Sequence, residues 1–284
     1  MPEVGPLISY DKTPMNETSP ERTVPIHRRF PPVGQCIYCG DRDQLSGEHI
    51  IAYSLNGTAT LPRASCPKCA TITSRFELTF ARGPAHAMRA AFGFKSRKGE
   101  YPASFPLLMV IRGVRQEIHV PLAEFPLILQ LPLFEPLPAF LRGQRGVPIT
   151  SKETVLVSLR ENTSPTVLLQ EIGRRYRAEG IEVPRVDHKS FARLIAKSAY
   201  ALAVAEFGIT NIREKFVVPA ILGEADDLGT WVGSSRPLAG EQAEHITQIK
   251  TFTTPAGESV IVVLMKLFAA LPAPGYVIVA ASKV

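Results

Sequence analysis

Between two Cys-x-x-Cys pairs the chain reads LSGEHIIAYSLNG, Leu45 to Gly57, and sets an acid, Glu48, directly before a histidine, His49. The pairs are Cys36 with Cys39 and Cys66 with Cys69; they hold all four cysteines and stand 26 residues apart. Two thiolate pairs converging on one tetrahedral Zn²⁺ is the expected use of such spacing in a chain with no secretion signal, where disulfides are a poor expectation and a redox dithiol is the minor alternative. The intervening loop is longer than in the commonest zinc ribbons, which favours a treble-clef or ββα finger with a functional insert. A zinc that is only a staple describes the four cysteines equally well.

Glu48 and His49 suit metal-assisted attack of water on a phosphodiester. An imidazole with an ordinary pKa of about 6.5 can take a proton from water near neutral pH. A carboxylate is a poorer base beside phosphate, but it holds Mg²⁺ or Mn²⁺, which neutralise the phosphate and the leaving oxygen. Neighbours on a strand face opposite ways, so both can address one cleft only at a strand end or bulge. The competing reading of His49 is a hydrogen-bonded histidine in a zinc-finger core.

These residues need elements to hold them. EHIIAYSL suits a short strand running into a turn at Asn56-Gly57, and PKCATITSRFELTFA suits a helix from about Cys69 with Ile72, Phe76 and Phe80 on one face. Ahead of them, residues 1–30 mix Pro, Thr, Ser and charge without periodicity and read as a flexible or surface-draped arm. Behind them, PLLMVIRGVRQEIHVPL reads as a hairpin around Arg112-Gly113 and ETVLVSL as a strand, while the proline-rich stretch 121–148 should be extended or looping. Two helices follow, one opened by Ser164 and closed by Gly180, the other capped by Asp187 with Phe191, Leu194, Ile195 and Leu202 as its apolar stripe. The end of the chain reads as an antiparallel meander. The expected fold class is α+β: a finger over residues 31–82, then a separate α+β domain with an antiparallel sheet over 83–284, of unknown role.

Taken together, CIYCG, LSGEHII, the glycine turn at LNG and LPRASCPKCATITSRFE resemble the HNH endonucleases of the ββα-metal fold, in the branch whose two Cys-x-x-Cys pairs bind zinc. The resemblance covers Cys36 to about Phe80. It implies a DNA endonuclease leaving 5′-phosphate and 3′-hydroxyl ends, with His49 as general base and Glu48 as a ligand of a catalytic Mg²⁺ or Mn²⁺. Cys36, Cys39, Cys66 and Cys69 would hold a structural Zn²⁺ away from the reaction. Many members of that family carry Asn or His directly after the last cysteine, where this chain has Ala70, which cannot ligate. Glu77, on the same helical face but about 10 Å further along the axis, is the strongest replacement if the helix is angled towards His49. The plain alternative for Glu77 is a solvated residue pairing with Lys or Arg.

A nuclease also needs a surface for a polyanion. Between Ala81 and Lys98 stand Arg82, Arg89, Lys95, Arg97 and Lys98 with no acid among them, the expected nucleic-acid contacts, although a charge run is usually a solvated face. The formal charge of +6 is a mild hint in the same direction, and 45% hydrophobic content over 284 residues suffices for a real core. From residue 101 onward charge is nearly balanced, 19 basic against 17 acidic residues, with no phosphate-binding loop, nucleophile elbow or dinucleotide fingerprint. His119, His188 and His245 stand singly and read as structural. Apolar segments are broken by Lys197, Glu206, Lys266 or Pro272 before they reach membrane length, so the expectation is a cytoplasmic protein without membrane contact. A homodimer is compatible with all of this. The rival to catalysis is an HNH-like finger that lost its metal site with the residue at Ala70 and now holds nucleic acid or protein; a third reading is a zinc staple on an interaction domain.

Overall fold

The computed structural model describes residues 29–96, 99–160, 162–235, 245–255 and 257–284, together with the backbone of β1 (Asn16–Glu17) and β2 (Arg22–Thr23). Those two pieces of the expected arm pair along a later strand; the rest of residues 1–28 lies outside the described residues. The finger follows. β3 (Ser46–His49) and β4 (Thr60–Ser65) form an antiparallel pair in which Glu48 faces Leu61 and His49 faces Thr60, with an irregularity between Ser46 and Glu48. The strand is shorter than expected: after His49 the chain bends through Ile50 and Ile51 and makes a 3-10 turn, Tyr53–Leu55, closed by Asn56 at φ 66°. Gly57 is required here, since a Cβ would stand 1.9 Å from the Ile51 carbonyl oxygen. α1 (Pro67–Arg82) begins two residues earlier than expected because Pro67 is suited to a first helical turn, with Cys66 as the extended N-cap.

Beyond the finger come α2 (His86–Ala91) and the hairpin β5 (Ser104–Ile111) and β6 (Val114–Pro121), which turns at Arg112 and Gly113, both left-handed, as expected. Within the proline-rich stretch lies β7 (Ile128–Phe134), paired with β8 (Ser151–Ser158). Pro132 is tolerated because this sheet has two strands and leaves each an open edge. α3 (Pro165–Tyr176) starts on the Ser164 cap but ends at Arg177, in the left-handed conformation, short of Gly180, which opens β9 (Gly180–Glu182) against β5. α4 (His188–Phe207) is capped by the Asp187 carboxylate, which accepts from the Ser190 N–H at 3.1 Å. Short helices α5 (Val218–Leu222) and α6 (Leu228–Trp231) lead to β10 (Val232–Ser235). The meander β11 (His245–Thr253), β12 (Ser259–Leu267) and β13 (Gly275–Ser282) then gives an antiparallel sheet ordered β1-β11-β12-β13-β10, with β2 also on β11. No helix among the described residues is long and apolar enough to cross a membrane.

α4 is the centre of the molecule. Its residues from Leu194 to Val204 are all buried, so it is covered on every side and not only along the expected stripe. The sheet lies on one flank and the finger on another. Phe80 of α1 meets Phe191 of α4 with ring centroids 5.2 Å apart, and Phe191 meets Tyr276 of β13 at 5.4 Å. The Tyr200 hydroxyl donates to the Ile37 carbonyl at 2.8 Å, and Lys215 Nζ donates to the carbonyls of Ile37 and Tyr38 at 2.9 and 3.1 Å. Ile37, Leu55, Phe76 and Phe80 share one continuous core with Tyr200, Val263 and Ile278. The finger therefore packs into the remainder of the chain, where a domain built apart from it was expected. A smaller second core, with Phe105, Met109, Phe125 and Ile172, lies beneath β5 and α3.

Candidate functional site

The finger carries two clusters of donor atoms. In the first, the Sγ atoms of Cys36, Cys39, Cys66 and Cys69 lie within 4.8 Å of one another, with Cys39 and Cys66 at 3.6 Å. Zn–S bonds of about 2.3 Å place tetrahedral sulfurs about 3.8 Å apart, so these four fit a zinc ion. Each pair is set by its own local structure. Cys36 and Cys39 flank a turn in which the Gly40 N–H donates to the Cys36 carbonyl at 2.9 Å, while Cys66 is the cap of α1 and Cys69 lies in its first turn. Burial, and then the nearby Cys36 sulfur, pushes the Cys69 thiol far above the usual cysteine range. Four thiolates cannot coexist here unaided, and a divalent cation is what would let them ionise together.

The second cluster is built of oxygen. Glu48 points into the protein while His49, the next residue on β3, is half-buried, as alternation on a strand requires. Glu77, two turns along α1, arrives at the same point. Both carboxylates meet Lys197 of α4: its Nζ lies 2.6 Å from Glu48 Oε1 and 2.9 Å from Glu77 Oε1, and it also donates to the His49 carbonyl oxygen. The lysine side chain is 1% exposed, against 7% for Glu48 and 19% for Glu77. Burial alone would lower the lysine pKa; the charges of Glu48 and then Glu77 outweigh it and raise the pKa well above the ordinary lysine value, so the ammonium persists throughout the neutral range. Glu77 Oε1 makes the ion pair without an aligned hydrogen bond, and the buried Tyr38 hydroxyl has no protein partner. Burial first, then the charges of Glu48 and Glu77, hold that phenol strongly protonated, which sets Tyr38 within the field of the same two acids.

Glu48 and Glu77 are thus brought together, and α1 is angled as the use of Glu77 required. What joins them is a side chain from 120 residues further on, and a hard divalent cation does not fit among these oxygens while the ammonium stands there. The His49 ring is engaged elsewhere, with Nδ1 3.2 Å from Thr60 Oγ1 and its centroid 5.4 Å from that of Tyr53. Ala70 is half-buried in the first turn of α1, and its carbonyl accepts from Thr73 Oγ1 at 3.3 Å.

The expected polyanion contacts divide. Arg82 is exposed at the end of α1, where it lines a cleft of about 630 Å³ together with His86, Arg115 and Arg185. Lys95 is exposed as well. Arg89 is buried, with its guanidinium donating to the carbonyls of Ser54 at 2.6 Å and Ala81 at 3.0 Å, so it braces the loop after His49 and is not available to phosphate. Arg97 and Lys98 lie outside the described residues. Sequence reasoning passed over Lys68 and Arg75, which are exposed on α1 and, spaced seven residues apart in line with Arg82, form one stripe along the helix. It also passed over Lys197, whose signal was a charge inside an otherwise apolar helix. No family model, no curated protein and no solved structure matches this chain.

Proposed function

We propose that this protein is a zinc-stabilised HNH-like module that binds nucleic acid, DNA in the first instance, without hydrolysing it. The observation that carries this reading is the Lys197 ammonium between Glu48 and Glu77, where a nuclease of this kind would need Mg²⁺ or Mn²⁺. A buried, triply engaged ammonium cannot swing out to a phosphate, so it does not replace the metal in catalysis. The polyanion surface would be the Lys68, Arg75 and Arg82 stripe, which presents positive charge at one helical turn in every two. Thiol ligands of this kind suit a reducing, cytoplasmic setting. A second reading, hydrolysis of DNA with His49 as base, draws on the half-buried imidazole fixed by Thr60. One experiment separates them. Zinc-loaded protein is expected to shift duplex DNA in a salt-sensitive manner, to lose about tenfold or more in affinity when Lys68, Arg75 and Arg82 are all changed to Glu, and to leave DNA uncut in Mg²⁺ or Mn²⁺. Metal-dependent nicking that disappears in His49→Ala would overturn it in favour of the nuclease.

A further inference from the structure

The cleft at the end of α1 is lined from three directions: by Arg82 and His86 after the finger, by the β5–β6 hairpin, and by the segment that leaves β9. Its volume of about 630 Å³ lies within the range of about 300–1,000 Å³ that small-ligand sites occupy. Pro84, Pro106, Leu108 and Pro184 make its apolar wall. His86 is half-buried and held edge-on by Phe105, with ring centroids 5.0 Å apart, and Phe105 is held in turn by Phe125 at 5.9 Å. Burial first, then Arg89 and Arg82, hold the His86 pKa below its ordinary value, so at pH 7 the ring is neutral and offers an aromatic face with hydrogen-bonding edges. Charge along the cleft is unevenly matched. Arg115 is occupied by Glu182 at 2.6 Å, and Glu117 faces His119 at 3.6 Å. Arg82 and Arg185 are exposed and have no acidic partner among the described residues. The ligand complementary to this wall is an anion joined to a flat ring.

We propose that this cleft binds one unpaired nucleotide, with its phosphate on Arg82 and Arg185 and its base against Pro106, Leu108 and His86. Guanidinium forks match phosphate oxygens, and every nucleobase has a face that aromatic and apolar side chains can cover. Two sources present this group: a free nucleotide, or an unpaired base within a strand. The position of the cleft favours the strand, an assignment that rests on the DNA binding proposed above. Arg82 is the last residue of the Lys68, Arg75 and Arg82 stripe. Arg185 also borders a second cleft, of about 610 Å³, where His188 and Lys189 stand at the start of α4. A strand held along α1 therefore meets a place for a base at the end of the helix, with further basic side chains beyond it.

Two titrations of the full-length, zinc-loaded protein test this. In the first, 2′-deoxyadenosine 5′-monophosphate is added while histidine ring protons are followed by nuclear magnetic resonance. A saturable shift of the His86 resonance, assigned by its absence from His86→Gln, is expected, with affinity reduced about tenfold in Arg185→Glu. In the second, fluorescence anisotropy compares a duplex carrying a short adenine overhang with the same duplex whose overhang is abasic, so that charge is equal and only the bases differ. The overhang with bases should bind about tenfold tighter, and that ratio should fall to about one in Arg185→Glu and in Leu108→Trp, which fills the cleft without changing its charge. A nucleotide shift with no base effect assigns the cleft to free nucleotides; a base effect, with or without the shift, assigns it to strands. Absence of both signals overturns the proposal, and if duplex DNA is still bound the proposed function stands without it. A nucleotide shift in a protein that binds no DNA would sink that function and keep the cleft.

Discussion

The cysteine tetrad and the Glu48–Glu77 pair lie in the same finger, yet each gathers its balancing charge by a different route. The tetrad is soft and built from two local pairs, so it depends on a cation from outside the chain; Lys215, which reaches the turn between Cys36 and Cys39, is engaged with the carbonyls of Ile37 and Tyr38. The second cluster is hard and built from three distant elements, and the chain supplies its own cation. Donor type explains part of the contrast, because thiolates favour Zn²⁺ over an ammonium, whereas carboxylates accept either an ammonium or a hard ion. The lesson is that one finger can gather soft donors by local spacing and hard donors by tertiary packing, and that the second route lets a later helix supply the balancing charge.

The comparison predicts a ranking. Zinc removal should have the largest effect, since metal binding at such sites contributes on the order of 10 kcal/mol to folding. Treatment with a strong chelator, or Cys66→Ser, is expected to abolish the native near-ultraviolet dichroism of the whole chain and not of the finger alone, because the finger shares its core with α4. If the remainder kept its cooperative melting transition, the two regions would be independent after all. Next comes Lys197→Met, which strands two buried carboxylates and should destabilise the protein by about 3–5 kcal/mol in denaturant titration. The triple variant Lys197→Met/Glu48→Gln/Glu77→Gln should recover most of that loss, and a triple variant as unstable as the single one would show that packing, not charge, is at stake. The smallest effect is expected at His86, whose pKa is lowered by burial first and then by Arg89 and Arg82. A base with a depressed folded pKa contributes no instability above the unfolded value of about 6.5, and stability falls as pH drops below it. His86→Gln should therefore reduce the drop in melting temperature between about pH 7.5 and pH 5, by an amount worth under about 1 kcal/mol.

What could be read from the sequence was local. Cysteine spacing gave the tetrad, Arg112-Gly113 gave the hairpin, and Ser164 and Asp187 gave helix caps, because in each case the cause lies within a few residues of the effect. Reach and charge single out Glu77 in the sequence, and it does meet Glu48, but through a partner that no periodicity announces. Lys197 looked like an interruption of an apolar helix; only when α4 is seen to be covered on all sides does a lysine there demand acids. Arg89 failed as a phosphate contact for the same kind of reason, since charge in a sequence does not reveal which carbonyls will surround it. The shared core was illegible because a finger motif suggests autonomy, whereas the hydroxyl of Tyr200 and the amine of Lys215 make the knuckle at Ile37 part of the later chain.

The lysine contact to His49 spans 148 residues of sequence, and chains are made from one end. At a synthesis rate of about 5–20 residues per second, roughly 6–30 s separate the emergence of the acids from that of the ammonium which neutralises them. Through that interval the nascent finger can take zinc on its cysteines but has no α4 to close over Glu48 and Glu77. The order of manufacture thus leaves the oxygen cluster open until α4 is made, and it ties completion of an early motif to arrival of the later chain.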